Sequence, residues 1–231
     1  MIDVIIPCLN EPTIDIVVHD ILNVDEINHI IVVDDGSDSP VFIPYISDKK
    51  VSVLRNEKPT GKTDAVKRGL ELVSTEHVIL QDADLEYPVS NLQNLLCYID
   101  KYDMVIARRM LPVNQVTLSG VIANRIITTL LKAPDVFSGQ RIVNTEFLKD
   151  VVTLSDGFSL ETVIFLEARR RNMSIKWVDS FYYPRTYKEG KKIMPYHMVP
   201  ILWKVFKYAF NGQNCRRYKI QKCDQTNQSD I

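Results

Sequence analysis

Residues 77–88 read HVILQDADLEYP, and the rest of the chain is organised around them. His77 to Leu80 close on three aliphatic side chains, the pattern of a short buried strand. Asp82 and Asp84 follow at once, with one small residue between them. Two carboxylates at that spacing repel each other, and turn chemistry does not account for paired acids directly after an apolar run. Hard divalent cations such as Mg²⁺ and Mn²⁺ take oxygen ligands, binding through one or two carboxylates together with substrate phosphates. A cation bridging Asp82 and Asp84 to a diphosphate relieves the repulsion and brings the phosphate with it.

Outward from this strand the first hundred residues alternate. DVIIP (3–7) reads as a strand, and Pro12 to Asn23 has helical spacing through Ile14, Val17, Val18, Ile21 and Leu22. HIIVVDD (29–35) and VSVL (51–54) are further strands, Asp64 to Val73 a helix, Val89 to Ile99 another, and DMVIA (103–107) a fifth strand. Such alternation predicts an α/β domain with a mostly parallel sheet flanked by helices. Ligands in these sheets bind beyond the carboxyl ends of the strands. Polar groups collect there: Asn10 and Glu11, Asp34 and Asp35, Asn56, Asp82 and Asp84, Arg108 and Arg109.

The second half is less regular. Val116 to Leu131 has helical spacing, DVFSGQRIVN (135–144) reads as a loop feeding a short strand, Leu160 to Arg171 as an amphipathic helix, and IKWVDSFYYPR (175–185) as a strand. PYHMVPILWKVFKYAF (195–210) is apolar and aromatic with Lys204 and Lys207 interleaved. The expected division is one catalytic domain over 1–193, an amphipathic helix over 194–213, and a basic, then polar, flexible tail over 214–231.

With 231 residues, 45% hydrophobic and 25% charged, the chain has the composition of a globular protein with one sizeable core. No apolar run reaches the roughly 18 to 20 residues that span a bilayer, and the N-terminus has no signal-like segment. Cys8, Cys97, Cys215 and Cys223 form no metal-spaced pair and are expected as free thiols, although Cys215 and Cys223 are close enough in sequence to pair. These features predict a cytoplasmic protein. The net charge of −1 hides an asymmetry: between Arg185 and Lys222 stand ten Lys or Arg and one acid, Glu189, leaving 18 basic and 28 acidic residues elsewhere. A basic C-terminal region on an acidic body suits an anionic partner, namely lipid phosphate, a membrane surface touched through 195–210, or, as the weaker alternative, nucleic acid.

Two glycine-bearing loops need sorting. NEKPTGKT (56–63) ends like a nucleoside triphosphate P-loop, but Asn56 stands where the motif requires glycine, and Pro59 removes an amide from any phosphate cradle. VVDDGSDS (32–39) ends a buried strand on Asp34 and Asp35, with Gly36 permitting a tight turn.

VIIPCLNEP (4–12), IIVVDDGSDS (30–39) and VILQDADLEYP (78–88), in this order, resemble family 2 glycosyltransferases of the GT-A, Rossmann-like fold. KTDAVKRGLELV, VIARRM, DVFSGQRIVNTEFL and the stretch from Gly157 to Lys192 extend the resemblance over roughly residues 1–195. It is closest to the dolichyl-phosphate mannosyltransferase and polyprenyl-phosphate glycosyltransferase branch. The resemblance implies a pocket for a UDP- or GDP-sugar made by Pro7, Asn10, Glu11, Asp35 and Lys62, with Asp35 toward the base. It implies that Asp82 and Asp84 hold Mn²⁺ or Mg²⁺ on the donor diphosphate. Arg108, Arg141, Arg185, Lys191 and Lys192 would face the donor's phosphates or an acceptor phosphate, which guanidinium forks suit. Gln140 stands where that branch has an aromatic residue, Gly190 and Lys191 are spaced differently, and the membrane helices that many such enzymes carry do not follow.

The activity so implied is inverting sugar transfer from a nucleotide-diphosphate sugar, with a polyprenyl phosphate as acceptor. Negative charge builds on the leaving diphosphate, where a cation is needed. A phosphate acceptor needs no strong base. A hydroxyl acceptor on a glycan, protein or nucleic-acid base needs one, and Glu161 is the candidate. Two further alternatives are a sugar nucleotidyltransferase, which would want a glycine-rich loop that PCLNEP lacks, and a non-catalytic binding module, which leaves the paired aspartates without a purpose.

Overall fold

A computed structural model describes residues 1–110, 129, 131–155 and 159–185. In chain order the elements are β1 (Ile2–Cys8), α1 (Ile14–Leu22), β2 (Ile27–Asp34), β3 (Val51–Arg55), α2 (Lys62–Gly69) running into a 3₁₀ turn (Leu70–Leu72), β4 (His77–Leu80), α3 (Asn91–Leu96), β5 (Met104–Met110), β6 (Arg141–Asn144), α4 (Thr145–Val152), α5 (Leu160–Arg170) and β7 (Ile175–Phe181). The expected alternation is present, with ends that differ by a few residues. Helix α2 begins at Lys62 because Gly61, at φ 100°, breaks the chain just before it. The last strand stops at Phe181, short of Arg185. The helix expected over 116–131 and the segment 195–210 lie outside the described residues, apart from positions 129 and 131.

The strands form one seven-stranded sheet in the order β3-β2-β1-β4-β6-β5-β7. All pairings are parallel except those of β6, which runs against both β4 and β5. Leu80 and Ile106 both pair with Arg141. Strand β6 therefore enters the sheet at the edge where β4 and β5 leave it. Residues 135–141, far along the sequence, are brought beside Asp82 and Arg109 by that one reversal.

Alternation along the strands splits the core into two layers. Val4 and Ile6 of β1 pack with Ile14, Val17, Val18 and Ile21 of α1 and Leu92 and Leu95 of α3. Ile5 faces the other way, with Ala65 and Val66 of α2, Phe147, Leu148 and Val151 of α4, and Val163, Ile164 and Phe165 of α5. A sheet covered on both faces needs strands apolar on both sides, as in β1, β2 and β4. Each buried aliphatic side chain is worth roughly 1.5–3 kcal/mol, so these layers fix the carboxyl edge on which the polar residues stand. Helix α4 has no counterpart among the sequence expectations. Its signal is Asn144, whose side-chain oxygen accepts from Phe147 N at 3.0 Å, ahead of Phe147, Leu148, Val151 and Val152.

Candidate active site

The cleft opens at the carboxyl ends of β1 and β4. Asp82 lies just past β4, and its carboxylate is wedged against Gly139: a Cβ at that glycine would lie 1.7 Å from Asp82 Oδ2. Gly139 is held in turn by its amide, which donates to Tyr87 Oη at 3.1 Å. Lys62, at the start of α2, donates to Asp82 Oδ1 and reaches Glu161 Oε1, both at 2.6 Å. Burial works against its charge, but the two carboxylates outweigh it and hold the ammonium well above its ordinary value.

Asp84 faces the other side of the cleft. Arg185 binds it through Nη2 at 2.9 Å and binds both oxygens of Glu11 through Nη1 at 3.0 and 3.1 Å. Glu86 fixes that arginine's backbone, accepting from Arg185 N at 2.7 Å, and also accepts from Tyr182 Oη at 2.7 Å. Tyr182 packs on Tyr87 with ring centroids 4.9 Å apart. Burial, then the charges of Asp82 and Glu86, push the Asp84 carboxyl up to about 7 against the pull of Arg185. Among the described residues, Glu11, Asp82, Asp84, Glu86 and Glu161 gather around Lys62, Arg141 and Arg185. Among the described residues, no three carboxylate, imidazole or thiolate groups converge as a ready-made metal cage. Asp82 and Asp84 instead fit a divalent cation whose remaining ligands come from a bound phosphate.

The loops after β1 and β2 are tied to each other and to the 56–61 loop. Asn10, at φ 49°, donates its amide to Ser37 Oγ at 2.8 Å and accepts from Asp38 N at 2.8 Å, tying the PCLNEP loop to the DDGSDS turn. Pro7 sits in β1 opposite Val33. Gly36, at φ 75°, lets that turn pack directly on the backbone of Lys58 and Pro59. Asp35 accepts from Asn56 Nδ2 at 2.7 Å, Thr60 N at 2.9 Å, Thr60 Oγ1 at 2.7 Å and Gly61 N at 2.7 Å. The expectation that Asp35 points toward a base needs correcting to this extent: its carboxylate organises the loop 56–61. The same bonds dispose of the P-loop likeness, because the Thr60 and Gly61 amides are turned onto a carboxylate. Asp34 is buried on Arg55 and on the Ser37 amide.

The arginines are sorted by the sheet. Arg141, fully buried, donates to the carbonyls of Ser138 and of Glu161, the latter at 3.1 Å. It was expected at the phosphates. It lies instead within the sheet between β4 and β5, where it fastens the 136–138 loop to the start of α5. Burial pulls its guanidinium below the ordinary value. Gln140 answers for the missing aromatic: it donates to Gln81 Oε1 at 2.7 Å and accepts from Asn91 Nδ2 at 3.1 Å, a buried amide chain in that residue's place. Arg108 is paired with Asp179 on the neighbouring strand. Arg109 makes two bonds to Asp135, at 2.8 and 2.9 Å. Glu11, Lys62, Asp82, Asp84, Glu161 and Arg185 thus converge, whereas Arg108 and Arg141 are committed elsewhere. Lys191 and Lys192 lie outside the described residues. Glu86, Tyr87, Gly139 and Tyr182 also belong to the cleft; in sequence Glu86 and Tyr87 adjoin the acidic motif, whereas Gly139 and Tyr182 are brought to it by the sheet.

A mostly parallel sheet with paired aspartates past its central strand is the architecture of a GT-A type domain. The match to the family model Glycosyl transferase family 2 covers residues 3–138, and the chain belongs to that family. Glycosyltransferase AglJ of Haloferax volcanii is 28% identical over 136 residues, which is 54% of this chain and only 45% of that protein's length. An uncharacterized protein of Methanocaldococcus jannaschii is 29% identical over 189 residues, 71% of this chain and 82% of its own. Among solved structures, glucosyl-3-phosphoglycerate synthase of Mycobacterium tuberculosis in complex with phosphoglyceric acid superposes with a TM-score of 0.69 at 19% identity, covering 89% of this chain and 79% of the other. Its complex with Mn²⁺, UDP and glucosyl-3-phosphoglycerate gives 0.66 at 20% identity, with 89% and 79% coverage. At that identity the likeness establishes the fold.

Proposed function

We propose that this chain transfers a sugar, with inversion, from a nucleoside-diphosphate sugar to an anionic acceptor, a polyprenyl-type lipid phosphate. The observation that carries the reading is the Asp82–Asp84 pair past the central strand of a family 2 domain. The solved neighbour complexes with Mn²⁺ and UDP support the donor side. A divalent cation held by Asp82 and Asp84 would neutralise the departing diphosphate. The chain's own share is placement: Gly139 seats the Asp82 carboxylate, Glu86 and Glu11 aim Arg185, and the loop built on Asp35 shapes the nucleoside end. Lys62 and Arg185 present cationic heads to phosphate oxygens across the cleft. In the transfer, an acceptor phosphate oxygen bonds to the anomeric carbon from the face opposite the diphosphate as that bond breaks. No proton need be removed.

Glu161 favours a second reading. It stands 2.6 Å from Lys62 in the cleft, where it would serve as base toward a hydroxyl acceptor, as in a transferase acting on a phosphorylated small molecule. Release of nucleoside diphosphate from UDP- and GDP-sugars, measured with Mn²⁺ and with or without a polyprenyl phosphate, tests the proposal. Stimulation by the lipid phosphate, with Glu161→Gln retaining most activity, is expected. A loss of roughly 10²-fold in Glu161→Gln points to the hydroxyl acceptor. Contact of residues 195–210 with a membrane surface, and the division at 193 and 213, belong to the same proposal. Among the described residues no helix is long and apolar enough to cross a membrane.

A further inference from the structure

Both aspartates of the cleft are already occupied by cations of the chain itself. Lys62 Nζ lies 2.6 Å from Asp82 Oδ1 and 2.6 Å from Glu161 Oε1, and Arg185 Nη2 lies 2.9 Å from Asp84 Oδ2. Asp82 has little freedom to offer another face, because its second oxygen is seated against Gly139. A divalent cation arriving alone must therefore displace an ammonium from Asp82 and leave it between carboxylates in a partly buried cleft. Stranding a charge in that way is costly unless a new partner is supplied. A diphosphate is such a partner, since it brings anionic oxygens to the place where Lys62 would be turned out.

We propose that Lys62 is a resident counter-ion that passes from Asp82 and Glu161 to the donor's diphosphate when donor and cation bind, so that cation and nucleotide binding are coupled and Glu161 is unmasked only in the loaded cleft. This rests on Asp82 and Asp84 being the donor's metal pair. The carboxylate contacts of Lys62 and Arg185 then act as a gate: neither Mn²⁺ nor free nucleotide is held well alone, and each raises the affinity for the other by the same factor.

The test is equilibrium binding of Mn²⁺ to the full chain, followed by the electron paramagnetic resonance of free Mn²⁺, with and without UDP or GDP. In the wild type the nucleotide should tighten Mn²⁺ about tenfold or more, equivalent to about 1.4 kcal/mol of coupling. Lys62→Gln removes the competing charge and the phosphate partner together. It should bind Mn²⁺ alone about tenfold tighter than wild type and bind Mn²⁺–UDP more weakly, opposite signs that a merely structural lysine would not produce. Lys62→Arg, which keeps the charge, should bind Mn²⁺ alone as weakly as wild type. Equal Mn²⁺ affinity in wild type with and without nucleotide overturns the gate, and needs no variant. So does Lys62→Gln binding Mn²⁺ alone no better than wild type. If the wild type takes up no Mn²⁺ even with nucleotide, the metal pair itself is refuted, a result distinct from a failed gate.

Discussion

Gly139 shows how much of the cleft depends on one missing methyl group. Its Cβ would lie 1.7 Å from Asp82 Oδ2, so Gly139→Ala must push that carboxylate off its seat. Transfer should fall about 10²-fold, the scale expected when a reacting group's support shifts by about an ångström. Thermal melting should show only a modest loss, since the yielding atoms are a side-chain end; unchanged activity in a folded Gly139→Ala protein would refute the wedge. Asp84→Ala should abolish transfer and Mn²⁺–UDP binding while the protein still melts cooperatively. A third expectation concerns pH. Burial opposes the charge of Asp135, but Arg109 and the Phe137 amide prevail and hold its carboxyl below the usual range. An acid depressed in the folded state contributes stability above its unfolded value of about 3.9 and loses it as pH falls through the lower folded value. Asp135→Asn should therefore be destabilised at pH 7, by about 3–5 kcal/mol if Arg109 is left buried and unpaired. Denaturation curves should show the deficit shrinking below about pH 4; a deficit independent of pH contradicts the assignment. The residue pattern pointed to Asp82 and Asp84, the demand of a hydroxyl acceptor to Glu161, and the family resemblance to Glu11, Lys62 and Arg185. They could not give direction, which is why Asp35 and Arg141, equally plausible by charge, prove to hold a loop and a set of carbonyls.

The elements were legible wherever one period ran unbroken. Strands β1, β2 and β4 are continuous aliphatic runs, and α1 and α5 keep their apolar residues on a helical stripe, so composition alone separates them. Strand β6 is different. Its four residues, Arg141 to Asn144, are too few to reveal a reversed direction, and direction is set by partners some sixty residues earlier in the chain. That reversal is also what places Gln140 beside Gln81 and Asn91. A resemblance-based reading sees a glutamine where an aromatic is usual and can say only that something differs. The sheet shows that an amide chain fills the space. Gln140→Leu keeps the volume but leaves Gln81 Oε1 without its 2.7 Å donor. Stranding one buried acceptor costs about 1–3 kcal/mol, so chemical denaturation should show a loss of that size. A neutral substitution would mean that the amide chain contributes no more than shape.

The whole molecule is divided by charge more sharply than by fold. Its acidic body carries the cleft, while ten basic residues fall from Arg185 to Lys222 in the sequence, the first of them, Arg185, touching Asp84. If the acceptor is the proposed lipid phosphate, a basic stretch of this composition suits a membrane surface rich in anionic lipid. In 195–210, Met198, Ile201, Leu202, Val205 and Phe206 recur at helical spacing, and Lys204 and Lys207 interrupt them, a pattern suited to lying in a headgroup layer. Each lysine near an anionic surface is worth about 1 kcal/mol. Reversing both, in the full-length Lys204→Glu and Lys207→Glu double variant, should lower binding to vesicles containing anionic lipid by about tenfold or more. Mn²⁺–UDP binding, which the proposed function assigns to the cleft, should be unchanged. Wild-type binding to the vesicles should also weaken as salt rises and the surface field is screened. Flotation with and without anionic lipid decides the matter: if the double variant floats as well as wild type, the basic segment is not a membrane contact, and a soluble phosphorylated acceptor becomes the better reading of the same cleft.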